Sequence, residues 1–510
     1  MTPAARSALI GLVAGLAGLL GPATARGETL ITVPAGTYDV SEVVTRAGTA
    51  AAWVRYRPAT AGTVVLRGGG SIDLGFVILD GFFVDGNLDP DLNDPTRTTP
   101  RANGLFVSAS NVLVENTEIV GVNDVHNGYD TSNQTSCVEF DFGISGNGLR
   151  VSGSNVTMRN ITLHGFREAS TVNQTGSLTI ENSLYRNNFN GVTMLGLSLV
   201  IRDSVFWDHP NHQFSINTAE SGSLFDLENN LLSNSQDMIK AGGNWIGVAR
   251  FIVRHNTFFL PANDPCGEYA GINSDNVRQQ SVIRDNLFVN LRNGLIISNS
   301  DLLPTLDSDY NFIYQYDPIA PPDEFRWETC APGACVSGAA SQKTSLEAWQ
   351  NTTCSAGRCL DQNTIVRQAP VFADAPAYVV NLPSPGNAQN QWGWRTPTSA
   401  AEARSWLTLM PGSPGKGAAS DGMDMGFVST SLPGTVCGDG VLDVGELCDP
   451  GPPEQLDGND CTTVPGGFAS GLLHCNSTCS NWDVNACVAG GGDTTPPSTP
   501  ANLRRTDRIP

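Results

Sequence analysis

"VIRDSVF", Val200 to Phe206, carries the pattern that decides the fold. An apolar residue precedes a charge, an aspartate follows, and an aromatic residue comes three places later. Six more stretches obey the same rule: "LVENTEI" from Leu113, "TMRNITL" from Thr157, "TIENSLY" from Thr179, "DLENNLL" from Asp226, "IVRHNTF" from Ile252 and "VIRDNLF" from Val282. The residue after the charge forms a column, Asn116, Asn160, Asn182, Asp203, Asn229, His255 and Asp285, whose steps from Asn160 onward are 22, 21, 26, 26 and 30 residues. "SDYNFIY" around Asn311 and "FVILDGFFV" around Asp80 read as two further units.

A repeat of this length, made of short β-type segments with no helical period, builds an all-β, single-stranded right-handed parallel β-helix. Each coil lays its strands on those of the coil below, ~4.8 Å away, so equivalent residues stack. The last column, Ile119, Leu163, Tyr185, Phe206, Leu232, Phe258 and Phe288, is then an interior stack. The asparagine column bends the chain at a turn and bonds neighbouring backbone groups. His255 stands in that column and reads as a substitute for asparagine, not as a catalyst. The charged column, Glu115, Arg159, Glu181, Arg202, Glu228, Arg254, Arg284 and Asp309, mostly alternates in sign. Stacked outward, each arginine meets a carboxylate, so these arginines are structural.

The two ends read differently. One arginine, an apolar run from Ala8 to Leu20 and then Ala23-Thr24-Ala25 have the three regions of a secretory signal peptide, residues 1–25. No other segment offers the ~20 apolar residues of a membrane helix. Twelve cysteines suit an oxidising compartment, and six of them, from Cys437 to Cys487, crowd into a small disulfide-rich module at 433–489. The β-helix then occupies 26–432, and residues 490–510 are a Gly/Pro linker with the start of another domain. A net charge of -21 argues against nucleic acid, whose phosphates need clustered Lys and Arg. The expected chain is a monomer, secreted or held at the cell surface.

"ITVPAGTY" near the start, the asparagine-rich rungs and "APVFADAPAYVV" with "LMPGSPGKGAASDGMDMGFV" near the end resemble secreted β-helix proteins of the pectin-lyase-like superfamily, over about residues 28 to 428. That architecture serves lyases, hydrolases, esterases and non-catalytic surface proteins, so it implies a fold and not a reaction. "CGDGVLDVGELCDPG" followed by "CNSTC" resembles a myxobacterial-type cysteine-rich repeat, and "PPSTPANLRRT" resembles the first strand of a fibronectin type III domain. "SLEAWQ" reads as a short helix on an excursion from the last coils, stapled by Cys330, Cys335, Cys354 and Cys359.

The hydrolase motifs Gly-His-Gly and Arg-Ile-Lys and the esterase motif Gln-Asp-Thr-Leu are absent. "DMIKAGGNW" with "FIVRHNTF" is similar instead to the surroundings of the catalytic lysine in the alginate lyase and chondroitinase B family. The resemblance implies Lys240 as the base, Asp237 beside it as an acidic metal ligand, calcium as the cofactor and an extracellular uronate-containing polysaccharide as substrate. Where that family places an arginine on the following coil, this chain reads "GINSDN".

Lys240 is the only lysine before Lys343. Aligning "GVTML", "QFSIN", "MIKAG", "GINSD" and "GLIIS" puts Val192, Phe214, Ile239, Ile272 and Leu295 inside and Thr193, Ser215, Lys240, Asn273 and Ile296 outside. Catalysis is therefore expected of Lys240, Asp237 and His209, and substrate contacts of Ser215, His212 and Trp245. Metal ligation is expected of Asn217, Asn273 and Asp275. The alternative is a non-catalytic surface or adhesion protein whose β-helix is a spacer or sugar-binding face.

Overall fold

The computed structural model describes residues 27–89, 103–121 and 146–428, with internal breaks at 242–247, 261–269, 275–279, 298–305, 315–324, 329–340, 383–390 and some shorter stretches, together with short pieces between 461 and 489. The proposed leader, Trp245, Asp275, Cys330, Cys335 and the tail beyond 489 lie outside the described residues, as does the side chain of Asp237.

Three long sheets form the first unit, Met1–Ser429. Two have 11 strands and one has 12, and in each the neighbouring strands come from successive coils. All pairs are parallel except the last of the third sheet, where Phe325–Glu328 runs against Ser341–Thr344. This is a parallel β-helix, and the twist of its strands makes the coil right-handed. The first sheet carries the repeat: Val114, Met158, Ile180, Ile201, Leu227, Val253 and Ile283 all point into the core. The second sheet supplies the predicted stack, with Tyr185 on Phe206 at 4.9 Å and Phe258 on Phe288 at 4.6 Å between ring centres.

Between those sheets every column residue from Asn116 to Asp285 has a positive φ, between 49° and 60°. Asn and Asp tolerate that left-handed turn better than other side chains with a Cβ. His255 shares it, with φ 53°, and so takes the turn role expected of it. The backbone-bonding ladder, however, lies one residue later than the sequence pattern suggests. It runs Ser183, Ser204, Asn230, Asn256, Asn286 and Asn311, all buried. Asn256 Oδ1 accepts from the Asn230 backbone N–H at 2.9 Å, and its Nδ2 donates to the Leu227 and Arg254 carbonyls at 2.8 and 2.9 Å. The left-handed residue turns its own side chain outward and aims the next one at the core, where unsatisfied backbone groups are most costly.

Both ends of the coil are closed. At one, Val40–Val43 forms a single helical turn that buries Val40 and Val43. At the other, "SLEAWQ" opens the helix Leu346–Ser355, and Trp349 Nε1 donates to the buried Asp361 carboxylate at 2.9 Å. Cys354 and Cys359 are disulfide-bonded there.

The second unit, Thr430–Pro510, contains two short antiparallel pairs among its described residues: Phe468–Gly471 with Cys487–Ala489, and His474–Cys475 with Trp482–Asp483. A Cys461–Cys487 disulfide packs beside Leu473, with Cys461 buried and Cys487 partly so.

Candidate functional site

Three outer faces are available for function, and two of them are already committed. On the second sheet the outward residues of the later coils are apolar: Leu184, Val205, Trp207, Leu231, Leu287 and Phe312. The chain's own segment 400–427 covers them with Trp406, Leu407, Met425 and Phe427. Arg404 fastens this cover: it donates to the Asn229 carbonyl, lies 3.8 Å from Asp203, and sits over the Phe427 ring at 5.3 Å. Burial lowers its pKa to about 10. Ser420 bonds Asp285, and Asp421 meets His255 at 3.0 Å, so the outward-turned column residues anchor the cover.

The first sheet's outward face carries the charged column in the predicted register: Arg159 beside Glu115 and Glu181, Arg202 beside Glu181 and Glu228, Arg254 beside Glu228. Arg159 reaches Glu181 at 3.2 Å, Arg254 reaches Glu228 at 3.0 Å, and Arg284 reaches Asp307 at 2.8 Å. Arg202 departs slightly from expectation, since its nearest partner is Asp226 at 3.3 Å, with Glu228 at 3.7 Å. These guanidinium groups are neutralised in place.

The third sheet's outward face is different. Its strands pair in the register Arg150–Thr171–Thr193–Ser215–Lys240–Asn273–Ile296, one residue per coil. The inward neighbours Val192, Phe214, Ile239 and Ile272 are all buried. Beside this column runs a second, Asn147–Glu168–Asn190–His212–Asp237, which brings His212 and Asp237 into register on adjacent coils. Two buried residues separate the columns on each strand, as Gln213 and Phe214 do between His212 and Ser215.

Lys240 is half-buried and, among the described residues, forms no ion pair. Next to it Asn273 holds a buried Oδ1 with no hydrogen-bond partner. Asn217 donates to Ser215 Oγ at 2.8 Å, so its carbonyl oxygen is not used in that bond. Carbonyl oxygens are hard donors of the kind calcium prefers, so Asn217 and Asn273 fit that cation in type. Among the described residues no group of three or more His, Cys, Asp or Glu could hold a metal.

His209 does not belong to this face. Asp208 takes a left-handed conformation with φ 63° and turns His209 completely inward. Its Nε2 lies 3.1 Å from Asn188 Nδ2, and burial lowers the imidazole pKa to about 3, so the ring is neutral and structural. Asp89 is buried as well and accepts from the Asn103 backbone N–H at 2.9 Å.

One residue of the site escaped the sequence pattern. Glu168 shares the column of His212 and accepts from Asn190 Nδ2 at 2.6 Å and Thr193 Oγ1 at 2.9 Å. Burial raises its pKa against the opposing effect of those two bonds.

No protein-family description and no curated protein sequence matches the chain. Among solved structures it is similar to PfbA, a surface adhesin of Streptococcus pneumoniae, at 13% identity over 59% of this chain and 82% of that one, with a TM-score of 0.31. It is also similar to the PL6 family alginate lyase AlyGC, at 13% identity over 60% of this chain and 51% of that one, with a TM-score of 0.22. This chain therefore spans about half of AlyGC.

Proposed function

We propose that this is a secreted, polysaccharide-active β-helix protein that cleaves a uronate-containing glycan by β-elimination at Lys240. The observation that carries the reading is the contrast between faces. The ladder arginines of the first sheet are paired, the second sheet's apolar face is covered, and the third sheet presents an ammonium that, among the described residues, has no ion-pair partner. A long polar face of this kind suits an extended sugar chain, whose hydroxyls need many modest hydrogen-bond partners.

In the elimination, the proton on the carbon next to the sugar carboxylate goes to Lys240 Nζ. The electron pair left behind forms the ring double bond, and the glycosidic oxygen departs and takes up a proton. Charge developing on the carboxylate must be neutralised as this happens. A calcium ion, where bound, would supply that neutralisation. Asn217 and Asn273 would hold it, and Asp237 and Asp275 are placed by sequence to add charge. Ser215 and His212, on the coil before Lys240, would orient the sugar. Trp245 completes the proposed substrate contacts.

The test is incubation with alginate, pectate and glycosaminoglycans, with and without calcium, followed by the ultraviolet absorbance of unsaturated ends. Absorbance that grows with wild type and not with Lys240→Ala supports the lyase. Glycan binding without product would leave a non-catalytic surface or adhesion protein as the better reading.

A further inference from the structure

The outward column of the third sheet carries one cation at Arg150 and a second four coils later, at Lys240. Arg150 is exposed, and Lys240 is four strand pairings away through Thr171, Thr193 and Ser215. At ~4.8 Å per coil the two charges stand roughly 19 Å apart on a straight track. Among the described residues Arg150 forms no ion pair, unlike the arginines of the first sheet's ladder.

The groups between them suit sugar hydroxyls. Thr171 Oγ1 donates to Asn147 Oδ1 at 2.9 Å and Thr193 Oγ1 donates to Glu168 at 2.9 Å. Each threonine oxygen therefore keeps lone pairs that can accept from a ligand. Ser215 Oγ accepts from Asn217 at 2.8 Å and keeps its own proton to donate. Among the described side chains, the carboxyl beside the track, Glu168, has its charged form disfavoured by burial, which lessens its repulsion of an anionic chain.

We infer that a linear polyuronate lies along the helix axis across this column, with the sugar that loses its proton at Lys240 and a carboxylate, about four sugar units away, at Arg150. Each linked sugar advances the glycan by about one coil, so successive rings meet Ser215, Thr193 and Thr171 in turn. Arg150 is thus the residue that sets the preferred substrate length. The inference rests on the lyase reading for the identity of the glycan, but its prediction concerns length.

The experiment measures kcat/KM and equilibrium affinity for size-defined oligouronates from trisaccharide to hexasaccharide. Wild type should favour the hexasaccharide over the trisaccharide by about tenfold, and Arg150→Ala should bring that ratio close to one. Arg250→Ala removes an exposed arginine on the first sheet and should leave the ratio at its wild-type value. An unchanged ratio in Arg150→Ala, with activity present, overturns the inference and leaves the lyase standing. Length-dependent binding that needs Arg150, in a protein without turnover, keeps the inference and removes the lyase. Absence of both binding and turnover overturns both.

Discussion

The outward faces of the first and third sheets are built by the same coils, yet they use charge in opposite ways. On the first, each ladder arginine stacks against a carboxylate, and the same strand positions repeat the arrangement coil after coil. On the third, Lys240 and Arg150 stand four coils apart with hydroxyls between them and no carboxylate partner among the described residues. A charge paired with a carboxylate on a neighbouring coil contributes to holding coils together. One left unpaired on a polar surface is available to a ligand.

The comparison can be broken from both sides, beginning with the core that carries both faces. Asn256→Leu removes five hydrogen bonds of the buried ladder and strands the Asn230 N–H and the Leu227 carbonyl. At ~1–3 kcal/mol for each buried group left unpaired, the loss should reach several kcal/mol in chemical denaturation. A midpoint equal to wild type would show that the ladder is not what satisfies the turn.

Next in size is the acid limb of stability. His209 has its pKa lowered in the native state to about 3, so between its ordinary range and that value the unfolded chain binds a proton that the native chain does not. Native stability must then fall as pH drops from ~6.5 toward ~3. His209→Gln should flatten that slope, and a slope unchanged in the variant would mean the ring is protonated in place.

Charge reversal at Arg202 tests the first face directly. Arg202→Glu sets a carboxylate between Glu181 and Glu228 and against Asp226, whose pKa burial already raises. A loss on the order of 1 kcal/mol or more is expected, read as a lower thermal midpoint. On the third face the corresponding change should be slight and of opposite sense. Ionising Glu168 is disfavoured by burial, so its contribution to stability is present at low pH and lost as pH rises through its raised pKa. Glu168→Gln should therefore cost little at neutral pH and remove that dependence. A steep destabilisation at neutral pH would make Glu168 a needed anion.

Much of this was legible in the sequence because β-helix columns follow from side-chain alternation. The register of the charged ladder and of Thr193, Ser215, Lys240 and Asn273 could be read from five-residue alignments. What failed was the geometry of turns. The hydrogen-bonding ladder sits one residue beyond the asparagine column because a left-handed residue redirects its successor inward. The same effect hides His209 behind Asp208. Glu168 was missed because strict alternation does not hold there: Ala169 and Ser170 are both buried between the outward Glu168 and Thr171. Sequence gives the strand column, but a two-residue inward step between columns needs the backbone.

The central claim is that the third face works and the first face holds. It is tested most directly by measuring turnover and thermal midpoint together in Lys240→Ala. A half-buried surface lysine with no ion pair among the described residues should change stability by no more than ~0.5 kcal/mol when truncated. The account predicts a midpoint like wild type with β-elimination on uronate glycan abolished, and Lys240→Arg nearly as inactive because guanidinium keeps its proton. Wild-type turnover in Lys240→Ala would contradict it.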